Sequence, residues 1–140
     1  MKYKILATAA AALALIFSVG CSAEEPATEE EKNSEATVQV ISADEAKKMM
    51  DEEEVIIVDV RTKAEYAEAH IDGAVLLTLD TIPDKAEEIL PDKDATYLLY
   101  CRSGNRSNQA AKELVRMGYQ EIYDFGGIID WDYETVSGEN

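Results

Sequence analysis

The amino-acid sequence predicts an α/β fold, with a mainly parallel central sheet of about five strands and helices on both of its faces. Two observations lead to this prediction. From about Val38 onward, short stretches rich in β-branched residues alternate with segments that begin with helix start signals, which is the order expected of strand–helix–strand units. The run from Val55 to Val58 is continuously apolar, which is typical of a strand covered on both faces.

The strands are short and mostly β-branched, aliphatic or aromatic, and turn residues separate them. In chain order they are predicted at residues 38–41, 55–58, 74–77, 96–100 and 121–125. Asp59 stands at the carboxyl end of the second strand and Cys101 at that of the fourth. Ligands of open α/β sheets bind beyond the carboxyl ends of the strands, so Cys101 lies where a functional site is expected.

Each helix carries a signal at its start or its end. Ser42 and Thr62 are each followed three residues later by glutamate, which is the spacing of a capping box. Pro83 fits the first turn of a helix, because its missing amide hydrogen is not needed there. Ser107 is predicted to cap a helix that ends before Gly118, a residue type favoured just past a helix C-terminus. The helices are predicted at residues 42–50, 62–69, 83–90 and 107–117, with a further short helix after Gly126-Gly127 that carries Trp131 and Tyr133.

The first 20 residues have the layout of an export signal. Lys2 and Lys4 precede an uncharged apolar run of 15 residues from Ile5 to Val19, which is shorter than the roughly 20 residues of a membrane-spanning helix. The ending Ser18-Val19-Gly20-Cys21 resembles a bacterial lipoprotein box, in which the cysteine is lipidated and becomes the mature N-terminus. Leucine usually occupies the first position of that box, so ordinary cleavage after residue 20 is the alternative.

We therefore expect a signal peptide at 1–20, an acidic flexible tether at 21–37 and a folded domain at 38–140. Between Ser22 and Thr37 no aliphatic side chain is larger than alanine and no aromatic residue occurs, so this segment cannot bury enough apolar surface to offset ordering. The protein is expected in the bacterial cell envelope, anchored to the membrane through a lipid on Cys21. With ordinary cleavage it would instead be a soluble secreted or periplasmic protein.

The chain is strongly acidic, with 13 basic and 29 acidic residues and a net charge of −16. Lys2 and Lys4 are the only charged residues of the expected signal, so its removal leaves 11 basic residues and a net charge of −18. Such a surface repels nucleic acid, and we expect none among the partners. One histidine and two widely separated cysteines predict no metal site. No cofactor is expected, and the expected form is a monomer.

Cys101 is the candidate nucleophile. If Cys21 is lipidated, Cys101 has no partner for an internal disulfide, although the expected compartment is oxidising. A helix N-terminus and positive charge lower a thiol pKa from about 8.5, and Arg102 and Arg106 supply positive charge here. Gly104 permits backbone angles closed to other residues, so several amides can converge on the sulfur. The alternative is a buried structural cysteine, which the arginines, the glycine and the helix start all disfavour.

Three motifs resemble those of one enzyme family. The segment Cys101-Arg102-Ser103-Gly104-Asn105-Arg106-Ser107 looks like the active-site loop of single-domain rhodaneses, which are sulfurtransferases. Upstream, Asp59-Val60-Arg61 with Glu65-Tyr66, followed by His70-Ile71-Asp72-Gly73-Ala74, resembles the family's other motif in the expected order. Downstream, Gly126-Gly127 followed by Trp131 is similar to its closing motif. The likeness therefore extends over residues 38–133.

The resemblance implies a rhodanese-like fold and a persulfide cycle. Cys101 would take sulfane sulfur from thiosulfate or a polysulfide and yield it to cyanide or a thiol. Arg106 would orient the loop and bind the anionic donor, and Arg102 would add positive potential at the mouth. The persulfide anion would be stabilised by loop amides, which belong to Ser103, Gly104, Asn105, Arg106 and Ser107.

Other polar residues of these motifs are expected to be structural. Asp59, Arg61 and Glu65 are predicted to form an ion-pair network that supports the site. His70 is expected in a turn before a strand, and a thiolate already ionised by its loop needs no general base. The two aromatic residues of the last predicted helix are expected to close the edge of the core rather than bind substrate.

Two other functions remain open on the sequence alone. Cysteine-based phosphatases and arsenate reductases also place a low-pKa cysteine in an anion-binding loop that ends in arginine. The phosphatase motif has five residues between the two, whereas Cys101 and Arg106 enclose four, and Tyr100 stands where phosphatases have histidine. The other alternative is a non-catalytic rhodanese-like binding module, against which the presence of the cysteine and both loop arginines argues.

Overall fold

The computed structural model describes residues 36–139, whose strands form a five-stranded sheet. In chain order the strands are β1 (Gln39–Val40), β2 (Ile56–Asp59), β3 (Val75–Leu76), β4 (Thr96–Cys101) and β5 (Glu121–Gly127). Every neighbouring pair is parallel, and the order across the sheet is β1-β5-β4-β2-β3. The parallel α/β fold predicted from the sequence is confirmed, with β4 at the centre of the sheet.

Helices connect these strands. They are α1 (Ala43–Glu52), α2 (Lys63–Glu68), α3 (Ile82–Ile89) and α4 (Asn105–Arg116), and short 3₁₀ helices occur at Leu79–Thr81 and Ile128–Asp130. Both predicted capping boxes are formed, because Ser42 and Thr62 each accept a hydrogen bond from the amide of the glutamate three residues on. That glutamate returns the interaction by accepting from the amide of the capping residue.

The side chains of β4 alternate between the two faces of the sheet. Tyr97 and Leu99 pack on one face among buried residues of α3 and α4. Leu98 and Tyr100 pack on the other face, among residues of α1 and α2. Each of these four side chains is fully buried, and burial of such a side chain stabilises the fold by roughly 1.5–3 kcal/mol. The predicted covering of both faces by helices is therefore observed.

The start of α4 differs from the prediction. Gly104, not Ser107, is the N-cap, and Cys101 is the last residue of β4 rather than the first of a loop. Gly104 has a φ of 99°, a left-handed conformation that glycine adopts at no steric cost, so the helix can begin closer to the strand. Ser107 then lies inside the first turn with its side chain buried. The helix ends as predicted, with Gly118 at a φ of 97°.

The prediction for Gly126-Gly127 is also wrong. Both glycines belong to β5, and the register between β4 and β5 shifts between Leu99 and Cys101, so that Cys101 pairs with Gly127. Gly126 has a φ of 90°, which lets the strand bulge and continue instead of turning. The following 3₁₀ helix ends before Trp131 and Tyr133, so neither lies on it. Trp131 is nonetheless largely buried against Phe125, in keeping with the expected packing role.

The predicted signal at 1–20 and the tether, apart from its last two residues, lie outside the described part of the chain. Cys21 lies outside it as well, so the domain boundaries and the lipid anchor stay predictions. Within residues 36–139, no helix combines the length and the apolar character needed to cross a bilayer.

Candidate active site

Cys101 lies at the carboxyl end of the central strand, directly before the N-terminus of α4. Its side chain is only 1% exposed. Sγ accepts a hydrogen bond from the Gly104 amide at 3.0 Å, and the thiol donates to Ser107 Oγ at 3.6 Å. The sulfur therefore lies at the positive end of the helix dipole, within a curve of backbone amides.

The environment of Cys101 favours its ionised form. Burial raises the pKa of the thiol, but hydrogen bonds from the Ser107 amide and hydroxyl and from the Gly104 and Ser103 amides outweigh burial and lower the pKa below its usual value. The sequence predicted this effect from the loop arginines together with the helix start and its amides. In the structure the main causes of the lowered pKa are the hydrogen bonds, which act directly on the sulfur.

Two glycines let the backbone close around the sulfur. A Cβ on Gly127 would lie 2.2 Å from the Arg102 carbonyl oxygen, so no other residue fits there without a backbone shift. A Cβ on Gly104 would lie 3.4 Å from Gly126 Cα. The end of β5 thus packs directly under the Cys101 loop, and this close approach is the reason for glycine at position 127.

The guanidinium of Arg106 is bound by the carboxylate of Glu65. Arg106 Nη1 donates to Glu65 Oε2 at 2.8 Å and Nη2 donates to Oε1 at 2.7 Å. These bonds, with those from Thr62, lower the pKa of Glu65 to about 2. Arg106 also interacts electrostatically with Cys101, which contributes to its own raised pKa. Glu65, a partner that the sequence did not identify, fixes the position of Arg106, and the roles of Arg106 in orienting the loop and binding the donor stay predictions.

The predicted network of Asp59, Arg61 and Glu65 is two separate ion pairs. Arg61 Nη2 donates to Asp59 Oδ2 at 2.6 Å in a buried pair, and also to the Ala69 carbonyl oxygen at 2.6 Å. The Tyr100 hydroxyl donates to Asp59 Oδ2 at 2.8 Å. Burial and the nearby Asp59 carboxylate raise the pKa of Tyr100. Glu65 belongs to the other pair, because it faces α4 rather than the end of β2.

The lone histidine is a core residue. His70 is fully buried, its ring stacks on that of Tyr66 at 3.7 Å, and its Nδ1 lies 2.7 Å from the Tyr66 carbonyl oxygen. Its backbone pairs with that of Val136 through two hydrogen bonds. These contacts fit the structural role expected for His70.

The remaining loop residues form the rim of the site. Arg102, Ser103 and Asn105 are exposed, and the Arg102 carbonyl oxygen accepts a hydrogen bond from Ile129. Beside Arg106 lies an open groove of about 570 Å³, whose lining includes Val60, Thr62, Lys63, Thr78 and Leu79. Among residues 36–139, no group of three His, Cys, Asp or Glu side chains is placed to hold a metal ion.

One residue of the site was missed at the sequence level. Asp124 on β5 is 4% exposed, and its Oδ1 accepts hydrogen bonds from Ser107 Oγ at 2.7 Å and from the Gly126 amide at 3.0 Å. In the sequence Asp124 is a polar residue within a predicted strand, and no local pattern pairs it with Ser107. Only the packing of α4 on β5 reveals the contact.

Comparison with known proteins places the chain in a family. A family model described as a rhodanese-like domain matches residues 42–134. The chain is 41% identical over 87 residues to a sulfurtransferase of Allochromatium vinosum, covering 61% of this chain and 79% of that protein. It is 33% identical over 81 residues to the thiosulfate sulfurtransferase PspE of Escherichia coli, covering 58% of this chain and 78% of that protein.

A solved structure gives the same result. The crystal structure of a rhodanese-like domain protein from Staphylococcus aureus matches with a TM-score of 0.64 and 33% sequence identity, over 72% of this chain and 99% of that chain. The family match extends from the cap of α1 to beyond the last 3₁₀ helix and includes the whole loop from Cys101 to Ser107. The chain therefore belongs to the rhodanese-like domain family.

Proposed function

We propose that this protein is a sulfurtransferase that carries sulfane sulfur as a persulfide on Cys101. The observation that carries the proposal is the placement of Cys101 Sγ, which lies 3.0 Å from the Gly104 amide at the N-terminus of α4. Such a curve of amides stabilises an anion on one sulfur atom or on a second sulfur attached to it. The named relatives, two of which are sulfurtransferases, support the same chemistry.

In the loading step, the Cys101 thiolate attacks the sulfane sulfur of thiosulfate or a polysulfide. A new S–S bond forms to Cys101 Sγ, and the S–S bond of the donor breaks. With thiosulfate, the electron pair of the broken bond leaves with sulfite. The product is Cys101–S–S⁻, whose negative charge lies at the loop amides, and no proton is consumed.

In the transfer step, an acceptor attacks the outer sulfur of the persulfide. Cyanide would form thiocyanate, and a thiolate would form a new persulfide. The electron pair of the broken S–S bond returns to Cys101 Sγ, which regenerates the thiolate. The same amides that favoured the thiolate before loading stabilise it as a leaving group.

Arg106 would guide the anionic donor. Its guanidinium is about one-third exposed beside the groove, although its charge is balanced by Glu65. The net attraction for a dianion is therefore weaker than that of an unpaired arginine. Arg102 is exposed at the rim and would add positive potential there.

The function is tested by mass and by product. The full chain carrying Cys21→Ser, in which Cys101 is the sole thiol, would be incubated with thiosulfate or polysulfide, and its intact mass measured. A gain of one sulfur atom, absent from the Cys101→Ser variant, and thiocyanate formed on addition of cyanide are expected. A protein that neither loads sulfur nor forms thiocyanate with any of these donors would contradict the proposal.

The phosphatase or arsenate reductase alternative is less well supported. Four residues between Cys101 and Arg106 make a small loop, and Arg106 is engaged by Glu65 rather than directed at an oxyanion. Hydrolysis of an aryl phosphate or reduction of arsenate by the same preparation, without sulfur loading, would favour that alternative. A binding module would show none of these activities.

We further propose that the chain is exported and anchored to the membrane by a lipid on Cys21. The support is the N-terminal pattern of Lys2, Lys4, the apolar run and the lipoprotein-like ending. Expression of the full chain in bacteria, followed by membrane fractionation and mass analysis, tests the proposal. Lipid and membrane association should be lost in Cys21→Ser, and a soluble wild type cleaved after Gly20 would contradict the anchor.

A further inference from the structure

A buried carboxylate lies two hydrogen bonds away from the nucleophile. Asp124 Oδ1 is 2.7 Å from Ser107 Oγ, and Ser107 Oγ is 3.6 Å from Cys101 Sγ. Asp124 is 4% exposed. None of the steps described above uses this carboxylate, and a buried acid so close to a reactive thiol must affect its ionisation.

The hydrogen-bond geometry assigns a direction to this chain. A serine hydroxyl has a single proton, and the shortest contact of Ser107 Oγ is with the Asp124 carboxylate. The Gly104 and Gly126 carbonyl oxygens, at 3.1 and 3.3 Å, are more distant acceptors. Since bonds to a carboxylate are also the stronger ones, Ser107 donates to Asp124. Its proton is therefore held away from Cys101, so this hydroxyl stabilises the thiolate less than a hydroxyl without that acceptor would.

Apart from Arg102, which is exposed at the rim, the other charges around the site are paired among themselves. Arg106 on α4 is bound by Glu65 on α2, and Asp59 at the end of β2 is bound by Arg61. Among the described residues, no cation forms an ion pair with Asp124. The Asp124 carboxylate therefore also repels a thiolate on Cys101 through space.

We propose that Asp124 is a positioning residue that binds the proton of Ser107 Oγ and thereby limits how strongly Ser107 stabilises the Cys101 thiolate. This inference rests on the proposed function for the role of Cys101, and it assigns to Asp124 the control of when that nucleophile is ionised. Its test uses the thiol alone and needs no sulfur transfer, so the two proposals can fail separately.

The test is the pH profile of Cys101 alkylation by iodoacetamide, followed by intact mass on the full chain carrying Cys21→Ser. Asp124→Asn is neutral and keeps an amide oxygen where Oδ1 accepts from Ser107 and from the Gly126 amide, so it binds the Ser107 proton less strongly. We expect the midpoint of its profile about one pH unit below that of the parent, which is about tenfold faster alkylation at acidic pH. In a Ser107→Ala background the same substitution should shift the midpoint much less. Asp130→Asn, which removes an exposed carboxylate from the same segment, is the matched control and should shift nothing.

Two results would overturn the proposal. One is a midpoint for Asp124→Asn equal to or above that of the parent, as expected if the carboxylate only braces the loop. The other is an equal shift with and without Ser107, which would mean that Asp124 acts by charge alone. A second neutral variant, Asp124→Ser, is measured in the same two backgrounds, so the test holds even if Asp124→Asn does not fold.

Discussion

Arg106 and Glu65 bind each other through two parallel hydrogen bonds of 2.8 and 2.7 Å, which join the first turn of α4 to the first turn of α2. Glu65 Oε2 also accepts from the Thr62 amide at 3.0 Å and from its hydroxyl at 2.9 Å. One carboxylate thus fixes both the start of a helix and an arginine of the active-site loop. Substitutions of Glu65 should therefore change the reactivity of Cys101, although Glu65 does not contact the sulfur.

Glu65→Gln should slow sulfur loading of Cys101 by about tenfold, because a neutral amide cannot accept the bidentate, charge-assisted pair. The rate would be followed by intact mass after mixing with thiosulfate. Glu68→Gln removes an exposed carboxylate from the same helix and should load normally. Equal rates for the two variants would show that Arg106 does not depend on Glu65 for its position.

The same pair predicts how stability depends on pH. The pKa of Glu65 falls from 4.5 to about 2 on folding, so the unfolded chain binds a proton more readily than the folded one. The stabilisation is present above pH 4.5 and is lost as the pH falls toward 2. Urea unfolding between pH 5 and pH 2 should show this loss, and Glu65→Gln should flatten that part of the profile. A profile of unchanged slope in the variant would assign the acid sensitivity to other carboxylates.

The two loop arginines should differ in their effect on the thiol. Arg106 interacts electrostatically with Cys101, so Arg106→Ala should raise the pKa of Cys101 and reduce sulfur loading. Arg102 is exposed at the rim. Arg102→Ala should therefore raise the pKa of Cys101 and reduce sulfur loading to a smaller extent. Iodoacetamide pH profiles of the two variants measure the difference, and effects of equal size would refute these role assignments.

Gly127→Ala should disrupt the site through the backbone. The added Cβ would lie 2.2 Å from the Arg102 carbonyl oxygen, and we expect a loss of about 3 kcal/mol in the free energy of unfolding. Gly73→Ala is the comparison, because Gly73 has a φ of 76° but open space around it, so only backbone strain of about 1 kcal/mol is expected. Urea unfolding measures both. Losses of similar size would mean that the backbone at Arg102 shifts to accommodate a Cβ at position 127.

The acidic surface should affect donor capture. Without the predicted signal, the chain would have a net charge of −18, which repels a dianion such as thiosulfate until salt screens it over about 10 Å at 0.1 M. Turnover with thiosulfate should therefore rise with ionic strength up to moderate salt, measured at donor concentrations below saturation. A flat or falling rate would show that local charge at the loop decides capture.

Most of the fold could be predicted because it depends on local patterns. The capping boxes at Ser42 and Thr62 are formed as expected, and the continuous apolar run before Asp59 is a central strand. Gly104 caps α4 in place of Ser107, because a glycine with left-handed backbone can cap a helix without a side chain. The sequence pattern does not distinguish that arrangement from a serine cap.

The site could be predicted only in part. The segment from Cys101 to Ser107 is contiguous in the chain, so the sequence could predict a reactive cysteine surrounded by amides and arginines. The partners of that loop come from distant strands and helices: Glu65 binds Arg106, Asp124 binds Ser107, and Gly127 packs against Arg102. Contacts of this kind depend on how α2 and β5 pack beside α4, and no spacing in the sequence encodes them.

The burial of Cys101, at 1% exposure, bears on how long the thiol would survive in the oxidising compartment that we propose for it. Large oxidants and bulky disulfides cannot reach a sulfur enclosed by backbone on two sides, so its oxidation should be slow compared with that of an exposed low-pKa thiol. A persulfide extends the side chain by one S–S bond of about 2 Å, so an acceptor can attack the outer sulfur while Sγ itself stays enclosed. Enclosure by backbone would therefore protect Sγ from oxidation without preventing sulfur transfer.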